Sequence, residues 1–262
     1  MKTILETIAD YTRTRVQNDK ARLDLDQLRD LARAKGPADG SAFEEALKKP
    51  KMSFICEIKR ASPSKGIISE DFPYLEIARD YEQAGAEAIS CLTEPKWFLG
   101  SDKIFKDIRA NVAIPMLRKD FVVDEYQIYQ ARLLGASAIL LICSILDKDT
   151  IAKYLDLADR LGLATLVEAH DEAEVKSAIS AGARIIGVNN RNLKDFSVDT
   201  NNSIRLRQLV PDDIVFVAES GIKSREDVRL LETEGVDAIL IGETLMRAQD
   251  KKMTLARLRG DL

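Results

Sequence analysis

The chain has 262 residues, 45% of them hydrophobic and 31% charged, with 39 basic side chains against 43 acidic ones. That much apolar side chain excludes a disordered chain, and a net charge of −4 leaves no basic footprint for nucleic acid or an anionic membrane. An anionic ligand must therefore be held by local geometry.

Residues 1–48 read as a helical extension. Leu5, Ile8, Ala9, Thr12 and Val16 recur at helical spacing, and Leu25, Leu28, Leu31 and Ala32 mark a second helix. Ser41, before Ala42-Phe43-Glu44-Glu45, is expected to cap a third. The extension is too short and too charged to fold alone, so it is expected to pack on the rest of the chain, over one rim.

From residue 49 to 262, short apolar runs alternate with amphipathic segments. The runs are Ser53–Ile58, Ala88–Leu92, Ile114–Leu117, Ala138–Ile142, Ala164–Val167, Ile185–Val188, Val215–Ala218 and Ala238–Ile241. Nearly continuous apolar runs of this length suit strands buried on both faces of a parallel sheet. Helical patterns cover Tyr74–Ala84, Glu125–Leu134, Asp149–Leu161, Glu172–Ala181 and Arg225–Glu234. Gly85, Gly135, Gly182 and Gly235 each end a helical stretch and precede a strand, as helix C′ residues do. Their spacing leaves room for two strand–helix units of about 25 residues in each interval, and eight such units close a (β/α)8 TIM barrel. A doubly wound open sheet is the alternative, but no G-x-G-x-x-G follows any of the runs.

In a (β/α)8 barrel the active site lies at the C-terminal ends of the strands. Here those ends carry Glu57 and Lys59, Arg118-Lys119-Asp120, Glu168, Asn189-Asn190-Arg191, Glu219-Ser220-Gly221 and Gly242-Glu243. Alternation puts Glu57 and Lys59 on one side and Cys56 on the other. Charges at the ends of buried strands are unfavourable unless paired, so the set reads as a site or as a structural ring of ion pairs. The glycines after the seventh and eighth strands lie where this fold holds phosphate, which points to a phosphorylated small molecule. The lone His170 excludes a zinc site built on two or more histidines, and Cys56, Cys91 and Cys143 show no metal-ligand spacing. His170 follows Glu168 closely, yet it reads as a bystander.

The run Glu57-Ile58-Lys59-Arg60-Ala61-Ser62-Pro63-Ser64-Lys65-Gly66 resembles the signature of the indole-3-glycerol phosphate synthase family. Leu92-Thr93-Glu94 with Trp97-Phe98, Asn189-Asn190-Arg191-Asn192-Leu193 and Gly242-Glu243-Thr244-Leu245-Met246 resemble it too, and the likeness spans the whole chain. The resemblance implies ring closure, decarboxylation and dehydration of 1-(2-carboxyphenylamino)-1-deoxyribulose 5-phosphate in tryptophan biosynthesis, by a carboxy-lyase that needs no metal or other cofactor. By matching position it implies Lys119 as general acid, its pKa lowered by Arg118 and an apolar pocket. Glu168 would serve in dehydration, and Glu57 and Glu219 would stabilise a cationic intermediate. Lys59 would bridge anionic groups and share acid duty, while Asn189 and Arg191 would hold polar substrate groups. Ser220, Gly221, Gly242 and Glu243 would cradle phosphate through the backbone, with the Glu243 side chain turned away. Phe98, Phe121, Leu140, Ile142, Leu193 and Leu240 would form the aromatic slot, and Ser62 belongs to a polar loop expected to close over the substrate. The alternative is another phosphate-binding barrel, such as a sugar-phosphate isomerase. A monomer is expected, with a dimer as the alternative. No signal-peptide pattern opens the chain and no apolar run approaches the ~20 residues a bilayer needs, so a cytoplasmic protein is expected.

Overall fold

The computed structural model describes residues 2–192 and 195–262. Among the described residues ten strands form: β1 (Ser53–Ile58), β2 (Ala61–Ser62), β3 (Gly66–Ile67), β4 (Ala88–Leu92), β5 (Met116–Lys119), β6 (Ala138–Ile142), β7 (Ala164–Ala169), β8 (Ile185–Asn189), β9 (Val215–Glu219) and β10 (Ala238–Ile241). All but β2 and β3 join a closed parallel barrel in the order β1-β10-β9-β8-β7-β6-β5-β4, closed by pairing of β4 with β1. The expected (β/α)8 barrel is the fold. β2 and β3 make a small antiparallel hairpin in the loop after β1.

Alternation along each strand divides the interior into two cores. Phe54, Cys56 and Ile58 point outward into the layer between the strands and the helices around them. Ile55, Leu117, Leu140, Leu166 and Ile185 point inward and fill the barrel. The extension reaches both ends of that inner core. Helix α1 (Ile4–Lys20) buries Leu5, Ile8, Ala9, Thr12 and Val16, as the periodicity requires. Its Leu5 and Ile8 cover the inner core from the mouth. Helix α2 (Leu25–Ala34) packs on α6 (Glu125–Leu134) through Leu28 and Ala32, whereas Leu31 is half exposed and faces solvent, against its expected place in the stripe. Helix α3 (Gly40–Leu47) seats Phe43 and Leu47 under the floor, beside small residues that begin strands, Ala88, Ala138, Ala164 and Ala238.

The cap of α3 differs from expectation. Asp39, two residues earlier than Ser41, accepts from the Ala42 N–H at 3.1 Å, and the Ser41 hydroxyl donates to that same carboxylate. Gly40 can then press flat on β7's entry, its N–H 2.7 Å from the Gly162 carbonyl, where a Cβ would strike the backbone. The four repeat glycines, Gly85, Gly135, Gly182 and Gly235, all have φ between 75° and 92°, the left-handed region that favours glycine.

Candidate active site

A cavity of about 480 Å³ opens at the C-terminal ends of the strands. Its wall contains all the proposed site residues within the described part of the chain; Leu193 lies outside the described residues. The charged centre comes from four strands. β5 delivers Lys119, whose Nζ stands 2.5 Å from Glu219 Oε2 and 3.3 Å from Glu168 Oε2. β1 delivers Glu57, and Lys59 just beyond it folds back to form an ion pair with Glu57. Asn189 at the end of β8 donates to Glu168 Oε1 at 3.3 Å and accepts from the Arg191 N–H at 3.0 Å. Three glutamates thus face two lysines, all largely buried.

That excess of one carboxylate sets the protonation pattern. Burial opposes the charge on Lys119, but Glu219, Glu168 and Glu57 outweigh it and raise its pKa. The expectation that Arg118 lowers it fails, because alternation sends Arg118 to the other face, where it donates to the Gln127 carbonyl and pairs with Asp102. Burial also pushes the Glu219 carboxyl up to about 7, against the pull of Lys119 and with help from the Glu168 and Glu57 charges. Its Oε1 is buried with no hydrogen-bond partner among the described residues, which costs the carboxylate more than the neutral acid. Glu168 goes the other way. Burial opposes its charge too, but Lys119, His170 and Asn189 hold it below the ordinary carboxylate value.

One wall of the cavity is apolar. Phe98 and Phe121 lie with ring centroids 6.2 Å apart, and Leu140, Ile142 and Leu240 line the barrel below them. Buried Glu94 fixes the Phe98 loop by accepting from the N–H groups of Lys96, Trp97 and Phe98 at 2.7–3.0 Å. Sequence reasoning missed the contribution of α1, whose Ile4, Leu5 and Ile8 complete this side. Their helical spacing was legible, but not which rim they cover.

The opposite side is polar. Ser220 and Gly221 both take positive φ, 68° and 90°, and turn the loop after β9 tightly beneath the cavity. Gly242 lies against the Glu57–Lys59 pair so closely that a Cβ would overlap it. Glu243 does not turn away as expected. Its carboxylate stays at the mouth because three cations converge there, Arg247 at 3.1 Å, Lys65 at 3.7 Å and Arg191 at 4.0 Å. Lys223 and Arg247, two further cations of this wall, were not foreseen. Ser62 and Lys65 belong to the β2–β3 hairpin loop, which borders the same opening.

A buried lysine–glutamate cluster at the top of a (β/α)8 barrel, with an aromatic wall and a glycine-bearing polar wall, defines an acid–base enzyme for a small anionic substrate. A family model described as indole-3-glycerol phosphate synthase matches residues 5–258. Relatives of that description include one from Ruminiclostridium cellulolyticum, 58% identical over 98% of this chain and 99% of its own length. Another, from Lachnoclostridium phytofermentans, is 47% identical over 98% of both chains. Among solved structures, 3-hexulose-6-phosphate synthase superposes with a TM-score of 0.64 at 16% identity, covering 80% of this chain and all of that one. Thiamine phosphate pyrophosphorylase from Pyrococcus furiosus gives 0.60 at 19%, over 80% of this chain and 94% of that one; both likenesses speak to the fold alone. The chain belongs to the indole-3-glycerol phosphate synthase family. It is an enzyme, a carboxy-lyase of tryptophan biosynthesis rather than a sugar-phosphate isomerase.

Proposed function

We propose that Lys119 and Glu168 carry the proton transfers of the family reaction, in which 1-(2-carboxyphenylamino)-1-deoxyribulose 5-phosphate loses carbon dioxide and water and closes to indole-3-glycerol phosphate. The observation that carries this reading is the position of the Lys119 ammonium, within 3.3 Å of two buried carboxylates at the centre of the cavity. As the aromatic carbon attacks the ketone, the ammonium gives its proton to the developing alkoxide. An ammonium held by three full carboxylates would be a weak acid. The tendency of Glu219 to hold a proton near neutrality loosens that grip. Glu57 and Glu219 face the positive charge of the cyclised intermediate, and Glu168 exchanges protons during dehydration. Lys59 joins the substrate's anionic groups and shares acid duty, while Asn189 and Arg191 hold its polar groups.

The aromatic ring lies against Phe98, Phe121, Leu140, Ile142 and Leu240, and the phosphate lies over the backbone of Ser220, Gly221, Gly242 and Glu243. The extension, residues 1–48, works as one unit with the barrel, residues 49–262, since it walls the cavity and underpins the floor. We place the enzyme in the cytoplasm as a monomer that acts on a small molecule and not on nucleic acid; its family's biosynthetic role and three free cysteines support the compartment. No helix among the described residues is long and apolar enough to cross a membrane.

The test is turnover of the carboxyphenylamino substrate, followed by fluorescence of the indole product. Lys119→Ala is expected to lower kcat by about 10²–10⁴, the range for a positioned acid. Undiminished turnover in a folded variant would remove Lys119 from the chemistry.

A further inference from the structure

Two residues beyond Glu168, the only histidine of the chain returns to that carboxylate from outside the cavity wall. The His170 Nδ1 stands 3.0 Å from Glu174 Oε2. Ser144 Oγ is 3.1 Å from the same nitrogen, but its own proton goes to Glu174 Oε1 at 2.7 Å. Nδ1 therefore carries hydrogen toward Glu174, which fixes the ring from α8 (Glu172–Ala181). The backbone is pinned as well: the His170 N–H donates to Glu174 Oε2 at 2.7 Å, and Asn202 donates to the His170 carbonyl at 3.1 Å. What remains is Nε2, buried, without a hydrogen-bond partner among the described residues and 3.4 Å from Glu168 Oε1. Only two states match this pair. Either Nε2–H faces a Glu168 carboxylate, or a bare Nε2 faces a Glu168 carboxylic acid. A small rotation of either side chain would bring Nε2 and Oε1 into hydrogen-bond line, and a proton crossing there converts one state into the other.

The reaction needs such a proton. The ketone oxygen leaves as water and takes up two protons. The ring carbon beside nitrogen gives back one, and the carboxylate departs as carbon dioxide with its bonding electrons left on the arene. One carbon–carbon bond forms, one carbon–carbon and one carbon–oxygen bond break, nothing is oxidised or reduced, and one proton per turnover must come from outside the substrate.

We propose that His170 is a positioning residue and proton reservoir for Glu168: its Nε2–H supplies, through Glu168 to Lys119, the proton consumed in each turnover, and solvent restores it between turnovers. The proposal rests on the acid–base role of Glu168. The charged groups that act on the ring are Glu174 on α8, Glu168 on β7 and, farther off, Glu219 on β9, with the Ser144 hydroxyl after β6 at Nδ1; Asn202 on α9 (Asn201–Arg207) reaches only the His170 carbonyl, and Asp171 and Cys143 touch Glu174 through its backbone. Burial opposes a charge on the imidazole, but Glu174, Glu168 and Glu219 outweigh it and raise its pKa above 6.5. The imidazolium is thus present near neutrality and lost as pH rises.

Because the histidine is unique, protein labelled with 13C-histidine shows one imidazole Cε1–H resonance. Its titration midpoint is expected above 6.5, and lower in both Glu168→Gln and Glu174→Gln. His170→Asn is expected to lower kcat at least ~10-fold with KM within about twofold, and its rate is expected to climb with the concentration of a small buffer acid while the wild type stays flat. A merely structural histidine would not confer that buffer dependence. A midpoint that ignores Glu168→Gln, or a His170→Asn enzyme with wild-type kcat and no response to buffer, overturns the reservoir while Glu168→Gln remains inactive. Full activity of Glu168→Gln overturns the role of Glu168 itself, and the reservoir with it. The resonance in Glu174→Gln decides the matter if His170→Asn fails to fold.

Discussion

Glu219 owes its place to a missing side chain across the sheet. In the β8–β9 register Gly187 lies close to it, and a Cβ there would overlap Glu219 Oε1. A carboxyl pressed against backbone, with one oxygen on Lys119 and the other unpartnered among the described residues, favours its neutral form. A carboxyl whose folded pKa is raised contributes stability that is complete below its unfolded value. That contribution fades as pH rises through the folded value, here from the ordinary 4.5 toward about 7. Glu219→Gln, neutral at every pH, is free of this loss. Urea unfolding at pH 5, 6, 7 and 8 should therefore show the variant gaining on the wild type as pH rises. Parallel curves for the two proteins would mean that Glu219 is ionised throughout.

Helix α1 is held over the mouth by one buried charge on β5's exit. Asp120 Oδ1 accepts from Arg15 at 2.7 Å, its Oδ2 accepts from the Thr93 hydroxyl at 2.8 Å, and Arg118 lies 3.4 Å away. Burial opposes the charge on Asp120, but Arg15, Arg118 and Thr93 outweigh it and hold its carboxyl below the ordinary 3.8. Stability from a depressed carboxyl is present above the unfolded pKa and lost as pH falls through the folded one. Arg15→Ala should therefore raise the midpoint of acid unfolding and loosen the wall formed by Ile4, Leu5 and Ile8, so that KM rises more than kcat falls. An unchanged KM would detach α1 from substrate binding. Much of this element structure was legible. The bounds of β1, β4, β6 and β10 follow their apolar runs, because apolar residues flank the single polar positions inside them, Glu57 in β1 and Ser90 in β4. β7, β8 and β9 run one or two residues farther than hydrophobicity indicates, because Glu168, Asn189 and Glu219 are strand residues themselves. β5 starts two residues after Ile114, past Pro115, which has no N–H to give a ladder, and runs on to Lys119. Periodicity measures apolar burial, so it stops where the site begins. The contact of His170 with Glu168 was illegible for a related reason: His170 lies past the strand, and Glu174 on the next helix turns its ring.

At the scale of the whole molecule, the barrel is closed at its floor by a contact between residues 172 apart in the chain. Helix α12 (Lys251–Arg259) brings Arg259 beneath the entry to β4, where its guanidinium spans both oxygens of buried Glu87 at 3.3 and 2.7 Å. The same group donates to the Gly85 carbonyl at 2.5 Å and lies 4.7 Å over the Phe54 ring, while the Phe54 N–H donates to Glu87 Oε2 at 2.9 Å. One planar fork therefore ties the last helix to the first and second barrel strands, which lysine cannot reproduce as a point charge. Arg259→Ala would leave Glu87 with the Phe54 N–H and the half-exposed Lys49 at 3.5 Å. Removing one partner of a buried pair is typically worth about 3–5 kcal/mol, and the surviving contacts place the expected loss nearer ~3 kcal/mol. The denaturant midpoint should fall with the slope unchanged, because the same core unfolds. Arg259→Lys should recover only part of the loss. The site lies at the other end of the strands, so kcat and KM measured well below the unfolding temperature should match the wild type. A variant with unaltered midpoint would show that the strand pairing of β1 with β4 and β10 closes the barrel without this clamp. A fall in kcat with stability intact would show that the floor and the mouth are mechanically coupled.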